Sequence, residues 1–271
     1  GDSFTFGEDV SNDQTWPHYL SVLRGTQVAN YGVAGYGPDQ AFLRLRRHLD
    51  SGRAVPETVI LGMLSENVAR LVNVWRHMYV GVGEKVSFKP RLINNEQGPR
   101  WLPNPLPSLT GLDAVRAAIS SAAETDFWFD YNQSRPHPSF PYLWAALDTF
   151  HYLAFRVKRW PDLYEIEEPV AVLALLLEEF IALSRKYEFQ PILLVIPMGQ
   201  DLRARDQGLP SSYDFVIDVM RNRFSGELQI VDVLHAEFES ERFNLRPFAG
   251  HASSYGNQII AQTIDAALGR R

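Results

Sequence analysis

The sequence predicts an α/β fold built around a mostly parallel β-sheet. Short apolar runs that are typical of buried strands alternate with amphipathic helical segments over residues 1–72 and again beyond Pro169. A chain of 271 residues with 45% hydrophobic residues can bury the core of one large domain. We therefore expect a single domain over residues 1–271 that carries an insertion at about residues 75–169.

The first part of the chain predicts two helices and two strands. Thr15 as an N-cap, Pro17 in the first turn and Gly25 after the last turn mark the ends of the first helix. Strands are predicted at residues 28–33 and 58–61, and Pro38 begins the second helix after a glycine-bearing turn.

Residues 75–169 are rich in proline and aromatic side chains, and two helices are predicted there, at residues 112–123 and 142–160. The aromatic residues could stack on sugar rings above a site, or they could form a local hydrophobic core for the insertion. They are Trp75, Tyr79, Trp101, Trp128, Phe129, Tyr131 and Trp144.

Regular alternation returns after Pro169, with a helix to about Tyr187 and a last helix that Ser253 or Ser254 caps. Between them we predict a strand at 192–196, a helix at 211–224 and a strand at 228–233. The last helix ends at Gly269, as is typical of a C-terminal glycine.

Composition excludes several classes of protein. The net charge of −6, without a basic stripe, argues against nucleic acid as a partner. Cysteine is absent, so a nucleophile must be an oxygen or a nitrogen. The longest apolar run, residues 170–177, is far below the ~20 residues that cross a bilayer, so we expect a soluble chain. Because the chain opens without Met, we also expect that an upstream segment was removed, and no cellular location is indicated.

The chain begins with Gly1, Asp2 and Ser3. A serine at a turn into a helix is exposed at the rim of a sheet, with backbone N–H groups directed at whatever it attacks. The motif resembles the nucleophile motif of the GDSL/SGNH hydrolases, which implies that Ser3 is a catalytic nucleophile. By itself the tripeptide is also compatible with a turn that has no catalytic role.

Two further segments resemble the second and third sequence blocks of the same family. The segment 30–35 ends at Gly35, whose backbone N–H the resemblance assigns to an oxyanion hole. The segment 62–67 ends at Asn67, whose side chain the resemblance assigns to the same hole, together with the N–H of Ser3. Alternatively, Gly35 is an ordinary turn glycine and Asn67 caps a helix.

His251, just before the last predicted helix, resembles the general base of the family, which implies that it accepts the proton of Ser3. The other histidines show no second histidine or carboxylate at metal-ligand spacing, so we expect no metal site. They are His18, His48, His77, His137, His151 and His235.

The sequence departs from the family pattern three positions before His251, where Phe248 replaces the usual aspartate. That aspartate normally orients the imidazole and stabilises its charged form. We therefore expect a Ser–His dyad oriented by a backbone carbonyl, or a carboxylate supplied from elsewhere. The acids nearest in sequence are Asp232, Glu237, Glu239 and Glu241.

The resemblance implies a three-layer α/β/α sandwich around a parallel, flavodoxin-like sheet. It further implies a serine esterase that acts on a small-molecule or carbohydrate ester, such as an O-acetylated sugar, and needs no cofactor. Two alternatives stay open. The first is an acyltransferase of the same fold that acts on a glycan, and the second is a glycan-binding descendant without catalysis.

Overall fold

The structure is a computed structural model that describes residues 1–80, 87–95, 98–129, 140–155 and 159–269. Within these residues the chain is α/β, and its main sheet has three parallel strands, with Gln190–Ile196 between the other two. The predicted α/β class with a parallel sheet is therefore confirmed. The strands of this sheet are β1 (Thr58–Leu64), β4 (Gln190–Ile196) and β5 (Gln229–Asp232).

Two antiparallel hairpins accompany the main sheet. The first pairs β2 (Arg91–Asn95) with β3 (Gly98–Leu102), and the second pairs β6 (Asn244–Arg246) with β7 (Ala249–Ala252). Neither hairpin was predicted, because their strands are too short to give an alternating apolar pattern.

The α-helices include two long ones that flank the sheet strands in sequence, Glu167–Tyr187 and Ser254–Leu268. Further α-helices in the described part of the chain include Ser3–Phe6, Trp16–Arg24, Pro38–Asp50, Val68–Leu71, Arg76–Val80, Leu112–Thr125, Tyr142–Phe155, Gly199–Asp206, Asp214–Arg223 and Ser240–Phe243. Short 3₁₀ turns cover Asn12–Gln14, Ser65–Asn67, Trp160–Glu165 and Val233–His235. No helix among the described residues combines the length and the apolar character that crossing a membrane requires.

Helix ends follow the sequence signals closely. Thr15 caps the helix Trp16–Arg24 by accepting from the His18 N–H, and Gly25 ends it with a φ of 59° in the left-handed region. Ser253 caps the helix Ser254–Leu268 by accepting from the Gly256 N–H. These predicted boundaries are confirmed because they depend on local capping chemistry alone.

The strand predicted at residues 28–33 is wrong, since this segment is irregular. Its backbone is held by the chain start instead, where the Val33 N–H donates to the Gly1 carbonyl at 3.0 Å. Only Gly32 of this segment is buried, and it lies against the helix Ser3–Phe6. An added Cβ at Gly32 would lie 2.2 Å from the Phe6 nitrogen.

The chain divides into two compact units, residues 1–67 with 173–271 and residues 68–172. The core of the first unit is the sheet, in which every residue of Ile192–Ile196 is fully buried. The second unit contains the β2–β3 hairpin and a small core around Val74, Phe88, Ala118 and Ala122. The predicted insertion at about residues 75–169 falls within the second unit, and the single-domain assignment stays a prediction.

Candidate active site

Ser3 is the first residue of the helix Ser3–Phe6 and is 7% exposed. Asp2 caps this helix, because one of its carboxylate oxygens accepts from the Phe4 N–H at 3.0 Å. Gly7 ends it after a single turn with a φ of 87°. The serine therefore lies at the start of a very short, doubly capped helix.

The second carboxylate oxygen of Asp2 accepts a hydrogen bond from the Asn67 side-chain amide at 3.1 Å. The Asn67 side-chain oxygen in turn accepts from the Leu64 N–H at 3.1 Å. Asn67 is 1% exposed, directly after β1. Asp2 thus joins the helix that carries Ser3 to the end of the sheet, and Asn67 has this structural role whatever else it does.

Segment 30–35 is fixed against the same helix. The Asn30 side chain donates to the Phe6 carbonyl at 3.2 Å, and the contact of Gly32 with the Phe6 backbone leaves no room for a side chain. Gly35 follows in a turn with a φ of 80°, which favours glycine.

His251 lies on β7, immediately before the last helix. The Asn244 side chain donates to the Gly250 carbonyl at 3.0 Å and supports the hairpin. Behind the hairpin, the Asn257 side chain donates to the Ala252 carbonyl and accepts from the Trp16 N–H. These bonds bring the end of the chain against its first long helix.

The structure brings the two chain ends together at the predicted pair. Ser3 Oγ lies 3.0 Å from His251 Nε2, within hydrogen-bond distance. The His251 side chain is 25% exposed and packs against the Phe4 ring, with ring centroids 5.2 Å apart. The imidazole is therefore reachable from solvent and also fixed on one face.

The other ring nitrogen of His251 is held by Asp9, which the sequence interpretation missed. Nδ1 lies 2.7 Å from Asp9 Oδ2. None of the four acids named from the sequence as candidates is hydrogen-bonded to the ring. A Ser–His–Asp arrangement thus takes the place of the expected dyad oriented by a backbone carbonyl. The chain reverses at Gly7 after the short helix, and this reversal brings Asp9, which has a φ of 70°, back to the histidine. The signal was present in the sequence as a glycine followed at once by two acids.

A second carboxylate borders the same ring. Glu8 Oε2 lies 3.6 Å from His251 Nε2, and its side chain is 45% exposed. At that distance it makes no hydrogen bond to the ring.

Phe248, three positions before His251, is fixed by contacts of both its backbone and its ring. Its backbone adopts a φ of 56° and packs on Gly199, where an added Cβ would lie 1.9 Å from the Phe248 carbonyl oxygen. Its ring lies 5.4 Å from the Arg203 guanidinium.

A buried carboxylate supports the loop after β1. Asp201 is 2% exposed and accepts hydrogen bonds from the Ser65 hydroxyl at 2.5 Å, the Ser211 hydroxyl at 2.8 Å and the Met198 N–H at 2.8 Å. Burial raises the pKa of Asp201 above its usual value, while these hydrogen bonds oppose the shift. The network joins the end of β1 to the segment after β4.

No protein-family model matches this chain, and no curated protein sequence is significantly similar to it. Among solved structures, the chain is similar to a candidate lipolytic protein of the G-D-S-L family from Desulfitobacterium hafniense DCB-2. The two chains are 11% identical, with 98% of this chain and 95% of that chain covered, and the TM-score is 0.44. Similarity at this level transfers neither fold nor activity, so the function proposed below depends on the geometry of the site.

Proposed function

We propose that the chain is a serine hydrolase that cleaves a carboxylic ester, with Ser3 as the nucleophile and His251 as the general base. The observation that carries this proposal is the 3.0 Å contact between Ser3 Oγ and His251 Nε2, residues that are 248 positions apart. A hydroxyl, an imidazole and a carboxylate in series are the arrangement that activates a serine.

The proton moves along this series in a definite order. With its proton on Nδ1, His251 donates to Asp9 and offers the Nε2 lone pair to the Ser3 hydroxyl. As Oγ attacks the ester carbonyl carbon, Nε2 takes the hydroxyl proton and then gives it to the departing alcohol. Water, deprotonated by the same nitrogen, attacks the acyl-serine and releases the acid, which restores the Ser3 hydroxyl.

The oxyanion of the tetrahedral intermediate needs donors that are fixed before the reaction. Ser3 begins its helix, so its N–H is outside the helical hydrogen-bond ladder. Gly35, the second proposed donor, lies in the segment that is packed on the same helix. The Asn67 amide nitrogen carries two hydrogens, and the bond to Asp2 leaves one of them for the oxyanion. Each such donor typically contributes about 10²- to 10³-fold to the rate.

The proposal does not extend to a carbohydrate ester. Trp75 stacks on Phe88 with ring centroids 5.4 Å apart, and the Trp128 indole is 4% exposed and donates to the Ala69 carbonyl. Both belong to the packing of the second unit, which supports the local-core interpretation of these aromatic residues. Trp144 is 68% exposed, and Tyr131 lies outside the described residues.

Hydrolysis of p-nitrophenyl acetate tests the proposal. We expect turnover by the wild type and a loss of at least about 10³-fold in kcat for Ser3→Ala and for His251→Ala. Ser51→Ala, in an exposed turn far along the chain, is the matched control and is expected to keep full activity. An equally fast Ser3→Ala variant would contradict the proposal.

The same assay separates the two alternatives. Product that forms only when a sugar alcohol is added as acyl acceptor would favour an acyltransferase. Oligosaccharide binding with no hydrolysis by the wild type would favour a binding protein. We expect hydrolysis in water alone.

A further inference from the structure

Three potential metal ligands meet at the carboxyl end of β5, among residues that the proposed esterase reaction does not use. Asp232 ends the strand, His235 follows three positions later, and Asp214 begins the helix Asp214–Arg223. One ligand atom from each side chain lies within 4.8 Å of the other two. The expectation that His235 has no carboxylate at metal-ligand spacing is therefore wrong, because Asp232 Oδ2 lies 3.5 Å from its Nε2.

The two carboxylates share an unusual pattern of hydrogen bonds. Oδ1 of Asp232 accepts from the Leu234 N–H at 3.0 Å and from the Tyr213 hydroxyl at 3.1 Å. Oδ2 of Asp214 accepts from the Ser211 N–H at 2.7 Å. The second oxygen of each carboxylate is buried and has no hydrogen-bond partner. One oxygen of each group is thus fixed by protein donors, while the other accepts no hydrogen bond and, in Asp232, faces His235.

Burying a carboxylate oxygen that accepts no hydrogen bond is energetically unfavourable. Asp232 is 8% exposed, so the protein replaces most of the water that would otherwise solvate its carboxylate. Within the part of the chain that the structure describes, no lysine or arginine forms an ion pair with either aspartate. The cluster has the negative charge and the open coordination that a cation would complete.

We propose that Asp214, Asp232 and His235 bind a divalent transition-metal ion of the zinc class. A set of two carboxylate oxygens and one imidazole nitrogen suits Zn²⁺ or Co²⁺, whereas Ca²⁺ and Mg²⁺ prefer oxygen ligands alone. In each carboxylate, the oxygen that would not bind the ion accepts hydrogen bonds from the protein. Hydrogen bonds of this kind orient the ligands in known metal sites. Water completes the coordination.

The ion has an open route and a structural role. The His235 side chain is 63% exposed, and a cavity of about 380 Å³ lined by Asp232, His235 and Glu237 opens beside it. A bound ion would connect the end of β5 to the start of the helix Asp214–Arg223. Since the assembled site exists only in the folded chain, binding stabilises the fold.

The test uses the full chain after removal of metal by a chelator. Titration calorimetry with Zn²⁺ is expected to show one saturable site, and Co²⁺ is expected to give the visible absorption bands of a low-coordinate complex. Saturating Zn²⁺ is expected to raise the melting temperature by about 5 °C.

The variants identify the site. His235→Ala removes an exposed ligand without disturbing the core, and Asp232→Asn removes the buried one; each is expected to weaken Zn²⁺ binding by at least about tenfold. Asp218→Asn, on the same helix but paired with Arg221 at the surface, is the matched control and is expected to bind as the wild type does.

Three results would overturn the proposal. The first is unchanged affinity in His235→Ala, and the second is loss of binding in Asp9→Asn instead, which would locate the ion at His251. The third is absence of saturable Zn²⁺ binding by the wild type.

Discussion

Asp9 Oδ2 lies 2.7 Å from Nδ1 of His251, on the side of the ring opposite to Ser3. The acid of this series thus comes from the turn that follows the proposed nucleophile, six positions along the chain. In the family that the sequence resembles, the acid precedes the histidine by three positions. In this chain the carboxylate that contacts Nδ1 comes instead from near the start of the chain.

Asp9→Asn is expected to lower kcat by about 10- to 100-fold with little change in KM. The loss is smaller than that for a buried triad aspartate because the Asp9 side chain is 56% exposed, so water screens its charge and partly replaces it.

Glu8→Gln is the control for Asp9→Asn, since Glu8 carries the same charge beside the same ring without a hydrogen bond to it. We expect a change in kcat of less than about threefold. Equal losses in the two variants would show that the local charge matters and that the bond to Nδ1 does not.

Phe248→Asp places an acid three positions before His251, where the family that the sequence resembles has one. We expect that adding this substitution to Asp9→Asn does not restore kcat. The backbone at residue 248 packs on Gly199, and a new carboxylate there would meet the Arg203 guanidinium. Recovery of kcat in the double variant would show that the hairpin can rearrange to present this residue to His251.

Gly32→Ala is expected to destabilise the fold by about 2–4 kcal/mol and to reduce activity, because the new methyl group collides with the backbone of the helix that carries Ser3. Gly52→Ala is the comparison. Gly52 has a positive φ, but no atom lies near the position of an added Cβ, so this variant measures the cost of the backbone conformation alone. We expect its free energy of unfolding to fall by about 1 kcal/mol. Urea denaturation measures both values.

Asp201→Asn is expected to lower the free energy of unfolding by about 2–4 kcal/mol, because an amide nitrogen cannot accept the hydrogen bonds that the lost oxygen received. The folded state holds the Asp201 proton more tightly than the unfolded state does, since burial raises the pKa of this carboxyl. The stability that this contributes is present at low pH and is lost as the pH rises through the folded pKa.

The stability difference between the wild type and Asp201→Asn is therefore expected to narrow as the pH rises from about 4 to about 8. Denaturation midpoints across this range measure it. A difference that widens with pH would show that the hydrogen bonds outweigh burial in setting the protonation of Asp201.

Capping residues and apolar runs predicted most of the first unit. Thr15, Gly25 and Ser253 mark helix ends through bonds within a few residues, so their effect is legible in the sequence. Residues 28–33 were misassigned because a strand needs a hydrogen-bonded neighbour, which a single chain segment does not reveal. The short hairpin of β6 and β7 was not predicted for a similar reason, because its strands are defined by their pairing with each other.

The candidate site was predictable in part. Ser3 and His251 were found by their resemblance to family motifs, and the structure brings their side chains together. Asp9 was missed because its role depends on a reversal of the chain at Gly7. Asn67 was named from the sequence, but its hydrogen bond to Asp2 was not predictable, because the two residues are 65 positions apart.

Covalent labelling of Ser3 by a fluorophosphonate tests the proposed activation of this hydroxyl most directly. Intact-mass measurement is expected to show one adduct on the wild type, located at Ser3 by peptide mapping, and none on His251→Ala over the same time. An unlabelled wild type, or a His251→Ala variant labelled at Ser3 just as fast, would contradict the proton transfer on which the proposed function depends.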